Sequence, residues 1–556
     1  MPDEPDGDDD SFTFTKQPSI IEYKAYRDIW GHGLESYLQW FYETVLFLHQ
    51  LLHQNGSLYV HLDWHVAHYA KCVLDEVFGS DHFANEIVWR RTTPKGLAFT
   101  RFASNHDVIF YYHKTENYVW NPQHVPHSSE YLDRYNLVDP TTGRRFQATS
   151  LLNPNRDRPN LTYEFHGHTK VWRWKKERML RAEAEGRIYF PPNGGVPREK
   201  RFLDEQEGVP VSSVWTDIAP VNAVAQERLR FPTQKPEALL ERIIRASSEE
   251  NDLVLDCFCG SGTTAAAAEK LGRQWIACDL GRFAIHTTRK RLLSIRSVRP
   301  FMVQNLGKYE RQQWAGAEFG DNRAAVRQRA YTEFILKLAG AAPLHGYTWL
   351  HGLKAGRMVH VGAVDAPVSV GDVTQIAAEF RRAVGTGKDA PTTNGVDVLG
   401  WDFAFELNEV AKQQAAAAKI QMRFLRIPRD VMDKRAVEQG DIHFFELAAL
   451  SVEVETNGRN VSLKLRDFLI PPDDVPEEAR RVVQHWSQWI DYWAVDWDNR
   501  GDTFHNEWQT YRTRKDKVLT LEITHTYPNP GEYAVVVKVI DILGNDTTKT
   551  VKVRVA

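Results

Sequence analysis

The chain has 556 residues, a formal net charge of −4, 42% hydrophobic residues and four cysteines. That length supports two to four domains with cores of their own and excludes a small disulfide-stapled scaffold. No run approaches the roughly 20 apolar residues of a membrane span, and six acids among the first ten residues are the opposite of a secretion signal. These features predict a cytoplasmic protein that meets any polyanion through local basic patches rather than global charge.

In chain order, residues 1–15 are acidic and read as a disordered start. Residues 16–115 carry helix and strand units: a helix near Glu35–Gln54, a strand at Leu58–Leu62 and a helix near Ala67–Phe78. Residues 116–213 are polar and turn-rich, and predict an irregular insert. Within it Lys170, Arg173, Lys175 and Lys176 alternate with Trp172 and Trp174, and Arg90 and Arg91 stand shortly before it. Such mixing suits phosphate contacts from the cations and stacking from the indoles, and equally suits the solvated face of an amphipathic segment. Residues 214–306 return to α/β, and the two α/β pieces are expected to share one parallel sheet. Residues 320–470 predict a small α/β domain, with strands at Met358–Val361, Val396–Leu399 and Met422–Ile427 and a helix at Gln375–Val384. After a linker holding Pro471, Pro472 and Pro476, residues 487–556 alternate apolar and polar, as a half-buried antiparallel sheet does.

The densest chemistry lies at Asp252–Asp279. An apolar run, Leu253–Leu255, ends at Asp256 and opens into Cys257-Phe258-Cys259-Gly260-Ser261-Gly262. An alanine-rich helix follows, then the run Trp275–Ala277, shortly before a second acid, Asp279. This strand, glycine turn, helix and strand is the layout of a nucleoside-binding half-domain. Glycines let backbone approach a ligand where a side chain would clash, and an acid at the tip of the second strand can accept ribose hydroxyls. A P-loop needs Lys after its last Gly, but Thr263 and Thr264 stand there; the dinucleotide pattern lacks its third Gly, which is Ala265. A nucleoside with a short polar tail, S-adenosylmethionine, is the better of these three readings. The cysteines Cys257, Cys259 and Cys278 cluster here and read as small packing residues, because one C-x-C without a second pair is no zinc site.

Upstream stands Pro232-Thr233-Gln234-Lys235-Pro236, leading into Val254-Leu255-Asp256-Cys257-Phe258-Cys259-Gly260. The joined segments resemble the motifs of amino-methylating DNA methyltransferases of the permuted, β-type order, and are similar to type III modification subunits. Val214–Ile218, Gly56–Asp63 and Leu74–Gly79 look like further family segments in their usual order, so the resemblance covers roughly residues 11 to 300. It implies an α/β, Rossmann-like methyltransferase sheet with 16–115 as catalytic half, 116–213 as target-recognition insert and 214–306 as cofactor half. It also implies that Asp256, Phe258, Gly260, Ser261, Gly262 and Thr263 shape a pocket for S-adenosylmethionine. Thr233 and Lys235 would lie beside the cofactor carboxylate, and Asp279 would hold the ribose. Double-stranded DNA would be the substrate, met by Arg90, Arg91, Lys170, Arg173, Lys175 and Lys176. A restriction or helicase subunit and a second copy of the chain are the other implied partners. Separately, Tyr492–Phe504 and His525–Asp546 resemble a PKD-like β-sandwich.

One departure matters more than these matches. Such enzymes act through a (D/N/S)-P-P-(Y/F/W) loop, whose side chain and proline carbonyl hold the exocyclic amine of a base swung out of the duplex. The Pro-Pro pairs of this sequence, Pro191-Pro192 and Pro471-Pro472, have neither the preceding polar residue nor the following aromatic. The expectation is that the first strand and its loop lie upstream of Met1, which leaves the catalytic residue unassigned. Asp63 and the trio Asn105-His106-Asp107 stand at strand ends and read as sheet supports or DNA contacts rather than as replacements. The predicted activity is therefore methyl transfer to an exocyclic amine in DNA, adenine N6 favoured over cytosine N4. The alternative is a truncated or split methyltransferase that binds DNA and cofactor without turning over.

Overall fold

The computed structural model describes residues 34–92, 102–127, 129–222, 225–229, 231, 233–320, 324–384, 395–404, 420–432, 434–440, 442–470, 483–501, 503–512, 518–542 and 544–556. The acidic start and most of the proline linker lie outside the described residues, as does Pro232 of the upstream motif. Among the described residues no helix is long and apolar enough to cross a membrane. The chain divides into two compact units, one of Leu38–Leu255 with Thr263–Ile276 and one built mainly from Asp256–Gly262 and Ala277–Ala556.

In the first unit, helix α1 (Leu34–Leu51) precedes strand β1 (Ser57–Leu62), helix α2 (Ala67–Phe78), strand β2 (Phe83–Arg90) and strand β3 (His106–His113). The helix α2 buries Ala67, Ala70, Leu74 and Phe78, an i, i+3, i+7, i+11 stripe, and stops at Gly79, whose φ of 86° ends the helical path. The sheet runs β1-β3-β2-β4, with β4 at Val214–Trp215. The crossover through α2 leaves β1 and β2 pointing the same way with a one-strand gap; β3 fills it antiparallel to both, while β4 adds parallel to β2. Alternate residues of β3 and β2, with Trp215 and Leu239, make the core beneath helix α3 (Glu237–Ser247). Strands β5 (Leu253–Asp256) and β6 (Gln274–Ala277), joined through helix α4 (Thr263–Lys270), pair with each other in a separate two-stranded sheet. The expected single parallel sheet is thus corrected to two sheets among the described residues, one of them mostly antiparallel.

The insert is not irregular. A four-stranded antiparallel sheet joins Leu137–Val138, Arg145–Ser150, Arg198–Phe202 and Ile188–Tyr189. A hairpin at Thr162–Phe165 and His168–Val171 and a helix at Lys176–Ala184 close over a core of Leu151, Phe165, Trp172 and Met179. Periodicity missed this because each strand is only two to six residues long.

The second unit holds a six-stranded mixed sheet whose centre, Arg357–Val361, Gly395–Gly400 and Gln421–Arg426, is parallel. The three strands and the helix expected in this block are present, the helix as Val370–Val384. Val359, Val361 and Leu399 face one core and Met358, Val396 and Val398 another, the period-two signature of a sheet covered on both faces. The terminal β-sandwich begins earlier than residue 487. Ala449–Asn457 and Asn460–Leu469, a hairpin assigned from sequence to the α/β block, form a sheet with Glu522–Thr526. The facing sheet runs Trp508–Tyr511, Ile490–Asp496, Gly531–Asp541, Asp546–Val555 around a shared core with Trp493 fully buried.

Candidate active-site regions

In the second unit the glycine loop is built by backbone bonding to the end of β6. Cys278 N donates to Asp256 O (2.8 Å) and Cys259 N to Cys278 O (2.9 Å), so the loop turns out of β5 at Asp256. Gly260 and Gly262 take φ of 50° and 71°, a region closed to most L side chains. At Gly262 packing also forbids a side chain, since a Cβ there would lie 2.6 Å from Thr288 Cγ2. Thr288, on helix α5 (Arg282–Leu293), donates to Gly260 O at 3.1 Å.

Asp279 is the hinge of this arrangement. Its Oδ2 accepts from Gly260 N and its Oδ1 from Gly281 N, each at 2.8 Å. One carboxylate thus ties the glycine loop to the start of α5. Each oxygen keeps acceptor capacity for a second donor, since a carboxylate offers about four lone-pair sites. Asp256 accepts from Phe258 N at 3.0 Å, the ring of Phe258 is 60% exposed, and Ser261 is buried with its carbonyl accepting from Arg291. Burial pushes the thiols of Cys257 and Cys259 up to about 11 and about 12. They are protonated at neutral pH and sit as small packing groups.

In the first unit Lys235 follows a tightly braced turn. Thr233 holds φ of 63°, and Gln234 spans the turn with its Oε1 accepting from Leu229 N (2.8 Å) and its Nε2 donating to Glu227 O (2.6 Å). Lys235 O accepts from the buried Thr263 hydroxyl at 3.2 Å. Its ammonium lies 3.8 Å from Asp107 Oδ2, and the same carboxylate meets His61 Nε2 at 2.9 Å and Arg91 Nε at 3.1 Å. Asp107, only 3% exposed, is therefore the hub of three potential cations. Burial alone would raise its carboxyl, but the His61 hydrogen bond and the Lys235 and Arg91 charges outweigh it and hold it below the usual carboxylate range. Burial lowers both His61 and Lys235. An ionised carboxylate so occupied is a positioning group, not a free base. His61 carried no spacing signal; only its place opposite Ile109 on the neighbouring strand brings it to Asp107. Asp63 instead accepts from His65 N and pairs with its ring, at 3.0 Å each.

The basic residues fall into two groups. Arg90 donates to Thr216 O at 2.9 Å and Arg91 is committed to Asp107, so both already serve the sheet. Lys170, Lys175 and Lys176 are exposed and form no ion pair among the described residues, and Arg173 is exposed with one bond, to Leu152 O at 3.1 Å. Of the two indoles expected to stack outward, Trp172 is corrected to a core residue. It is 0% exposed, its Nε1 donating to Tyr163 O at 2.9 Å. Trp174 is half-buried and carries Arg178 over its ring at 4.4 Å.

Residues 14–290 match the N6_N4_Mtase family model, described as DNA methylase. That stretch is similar to DNA methylases. The chain is 30% identical over 261 residues to the Type II methyltransferase M.EcaI of Enterobacter cloacae, covering 46% of this chain and 57% of that one. It is 25% identical over 290 residues to the Type III restriction-modification enzyme StyLTI Mod subunit of Salmonella typhimurium, covering 48% and 44%. The chain thus spans about half the length of these curated relatives. Among solved structures, the M1.HpyAVI-SAM complex aligns with a TM-score of 0.25 and 18% identity, covering 46% of this chain and 82% of that one.

Proposed function

We propose that this chain is a DNA methyltransferase module that binds S-adenosylmethionine and directs its methyl group to an exocyclic amine, adenine N6 in preference to cytosine N4. The observation that carries the reading is the Asp279 carboxylate, fixed between Gly260 N and Gly281 N inside the family-matched stretch. The fit to the cofactor is chemical. A half-buried carboxylate with spare lone pairs suits two vicinal hydroxyls, and a glycine turn without a following Lys suits a ligand that lacks phosphates. When bound, that cofactor supplies an electrophilic methyl group. Asp256, Phe258, Gly260, Ser261, Gly262 and Thr263 would enclose it, and Thr233 and Lys235 would meet its carboxylate. Lys170, Arg173, Lys175 and Lys176 would hold the phosphates of double-stranded DNA, with Arg90 and Arg91 as sheet-anchored contributors. A restriction or helicase subunit and a second copy of the chain remain the expected partners.

A second reading is favoured by one specific observation: this sequence holds no D/N/S-P-P-aromatic loop. In that reading the chain grips DNA and cofactor and leaves the amine to be activated by a group from elsewhere. Two measurements on the same preparation separate the readings. Labelled methyl transfer to duplex DNA with adenine as the acceptor supports the first. Cofactor and DNA binding without transfer supports the second, and absence of cofactor binding overturns both.

A further inference from the structure

At the far end of β3 from Asp107, His82, His113 and Glu116 converge. One ring nitrogen of each histidine and a carboxylate oxygen of Glu116 lie within 4.8 Å of one another. We propose that these three side chains form a divalent transition-metal site, zinc being the ion they suit best, separate from the methyl-transfer machinery.

Three features support this. His113 is 5% exposed, its Nδ1 is fully buried, and its ring has no hydrogen-bond partner among the described residues. A buried imidazole without a partner is costly, and a metal ion is one way to satisfy it. Its ring is fixed by stacking on Tyr118, with centroids 4.2 Å apart and planes at 9°. His82 is oriented by its Nδ1, which bonds Phe78 O at 2.6 Å and leaves Nε2 as the free nitrogen. Imidazoles that bind metals are commonly held this way, their other N–H given to a backbone carbonyl. Glu116 is exposed and has no ion pair among the described residues, so its carboxylate can close about an ångström onto an ion by rotation alone. Two imidazoles and a carboxylate make a set that zinc accepts, with a fourth position left to water.

The site lies far from the Asp107 hub. His113 lies six positions along the strand from Asp107, about 20 Å at the usual strand rise. Its place suggests a staple. His82 closes the turn after α2, and Glu116 begins the segment that ends at Asn121. Asn121 N donates to Ala246 O at 2.7 Å and its Nδ2 to Arg245 O at 3.1 Å, at the carboxyl end of α3. An ion held here would pin β3 and the segment that caps α3 to the turn before β2.

The test is titration of the full chain, freed of metal by chelator, with zinc and with cobalt as a visible-absorption probe. We expect one equivalent to bind, a rise in thermal midpoint, and cobalt bands of a nitrogen and oxygen site of low coordination number. Glu116→Ala, a surface change that spares the fold, should weaken binding at least tenfold, and His82→Ala should abolish it. Absence of stoichiometric binding, or affinity unchanged in both variants, would overturn the site. Because His82→Ala can disturb the turn, far-ultraviolet circular dichroism must match the parent, and Glu116→Ala decides if it does not.

Discussion

Replacing Asp279 tests the centre of the cofactor reading. In Asp279→Asn one oxygen survives to accept one of the two 2.8 Å backbone bonds, while the new amide N–H faces the other backbone N–H. A hydrogen bond to a charged group is worth about 1.5–3 kcal/mol, so one such loss, near 2 kcal/mol, should weaken S-adenosylmethionine about 30-fold. Asp279→Ala loses both bonds and the expected ribose contact, and should weaken it by about three orders of magnitude. The assay is calorimetric titration of cofactor, with duplex DNA affinity measured on the same samples as a control for folding. DNA affinity should stay within about threefold of the parent, since the exposed lysines stand on a different element. Cofactor affinity unchanged within threefold in both variants would refute the assignment. Equal loss of both affinities would refute it too, pointing to a role in folding alone.

Three further outcomes are expected. Removing the charges of Lys170, Lys175 and Lys176 together should lower DNA affinity and cut the log–log salt slope by about three, one for each phosphate no longer neutralised; an unchanged slope would remove the patch from the interface. Trp172→Ala should cost the insert about 3–5 kcal/mol through its emptied core, seen as early proteolysis between residues 137 and 202 while cofactor binding persists. Asp491 accepts from His286 Nε2 (2.8 Å) and Lys290 Nζ (2.7 Å). Burial alone would raise its carboxyl, but these partners outweigh burial and pull it down to about 2 from 3.8. A depressed carboxyl adds stability above its unfolded value, here about 2 kcal/mol, and loses it between about pH 4 and pH 2. Asp491→Asn should therefore lower the thermal midpoint at pH 7, and the gap to the parent should narrow below pH 4; a gap constant with pH would dismiss the pair as a stabilising contact.

What could be read from sequence followed the strength of local signals. The glycine loop was legible because its φ requirement leaves few residue choices, and Asp279 because an acid at a strand tip is a positional signal. The parallel strands at 358, 396 and 422 were legible as β-rich apolar runs, buried on both faces. The insert was not, since its two-residue strands give no period and its core is assembled by Trp172, a residue that reads as interfacial beside so many cations. The Asp107 hub was invisible for another reason. His61, Arg91, Asp107 and Lys235 come from four separate segments, and only strand order brings them together. The sandwich boundary moved for the same reason, because Ala449–Leu469 finds its partner at Glu522–Thr526 rather than nearby.

The terminal sandwich is more than an appendage of the second unit. Helix α5 begins three residues after Asp279 and carries the buried His286 and the half-buried Leu293. Leu293 packs against the cluster of Tyr492, Ala494 and Ile540, and Phe283 lies 3.4 Å from the position a Cβ on Gly544 would take. Burial lowers His286, so it stays neutral beside Asp491 at pH 7, while Lys290 brings the charge that pairs with that acid. The same helix supplies Thr288, which fills the space above Gly262 and holds Gly260 O. The sandwich thus grips one face of α5 and the glycine loop rests on another. A change that loosens the first contact should reach the cofactor through the second. Asp491→Asn should consequently weaken S-adenosylmethionine by a few-fold although it touches none of the residues assigned to hold it, and an unaltered cofactor affinity would show that α5 is rigid without the sandwich.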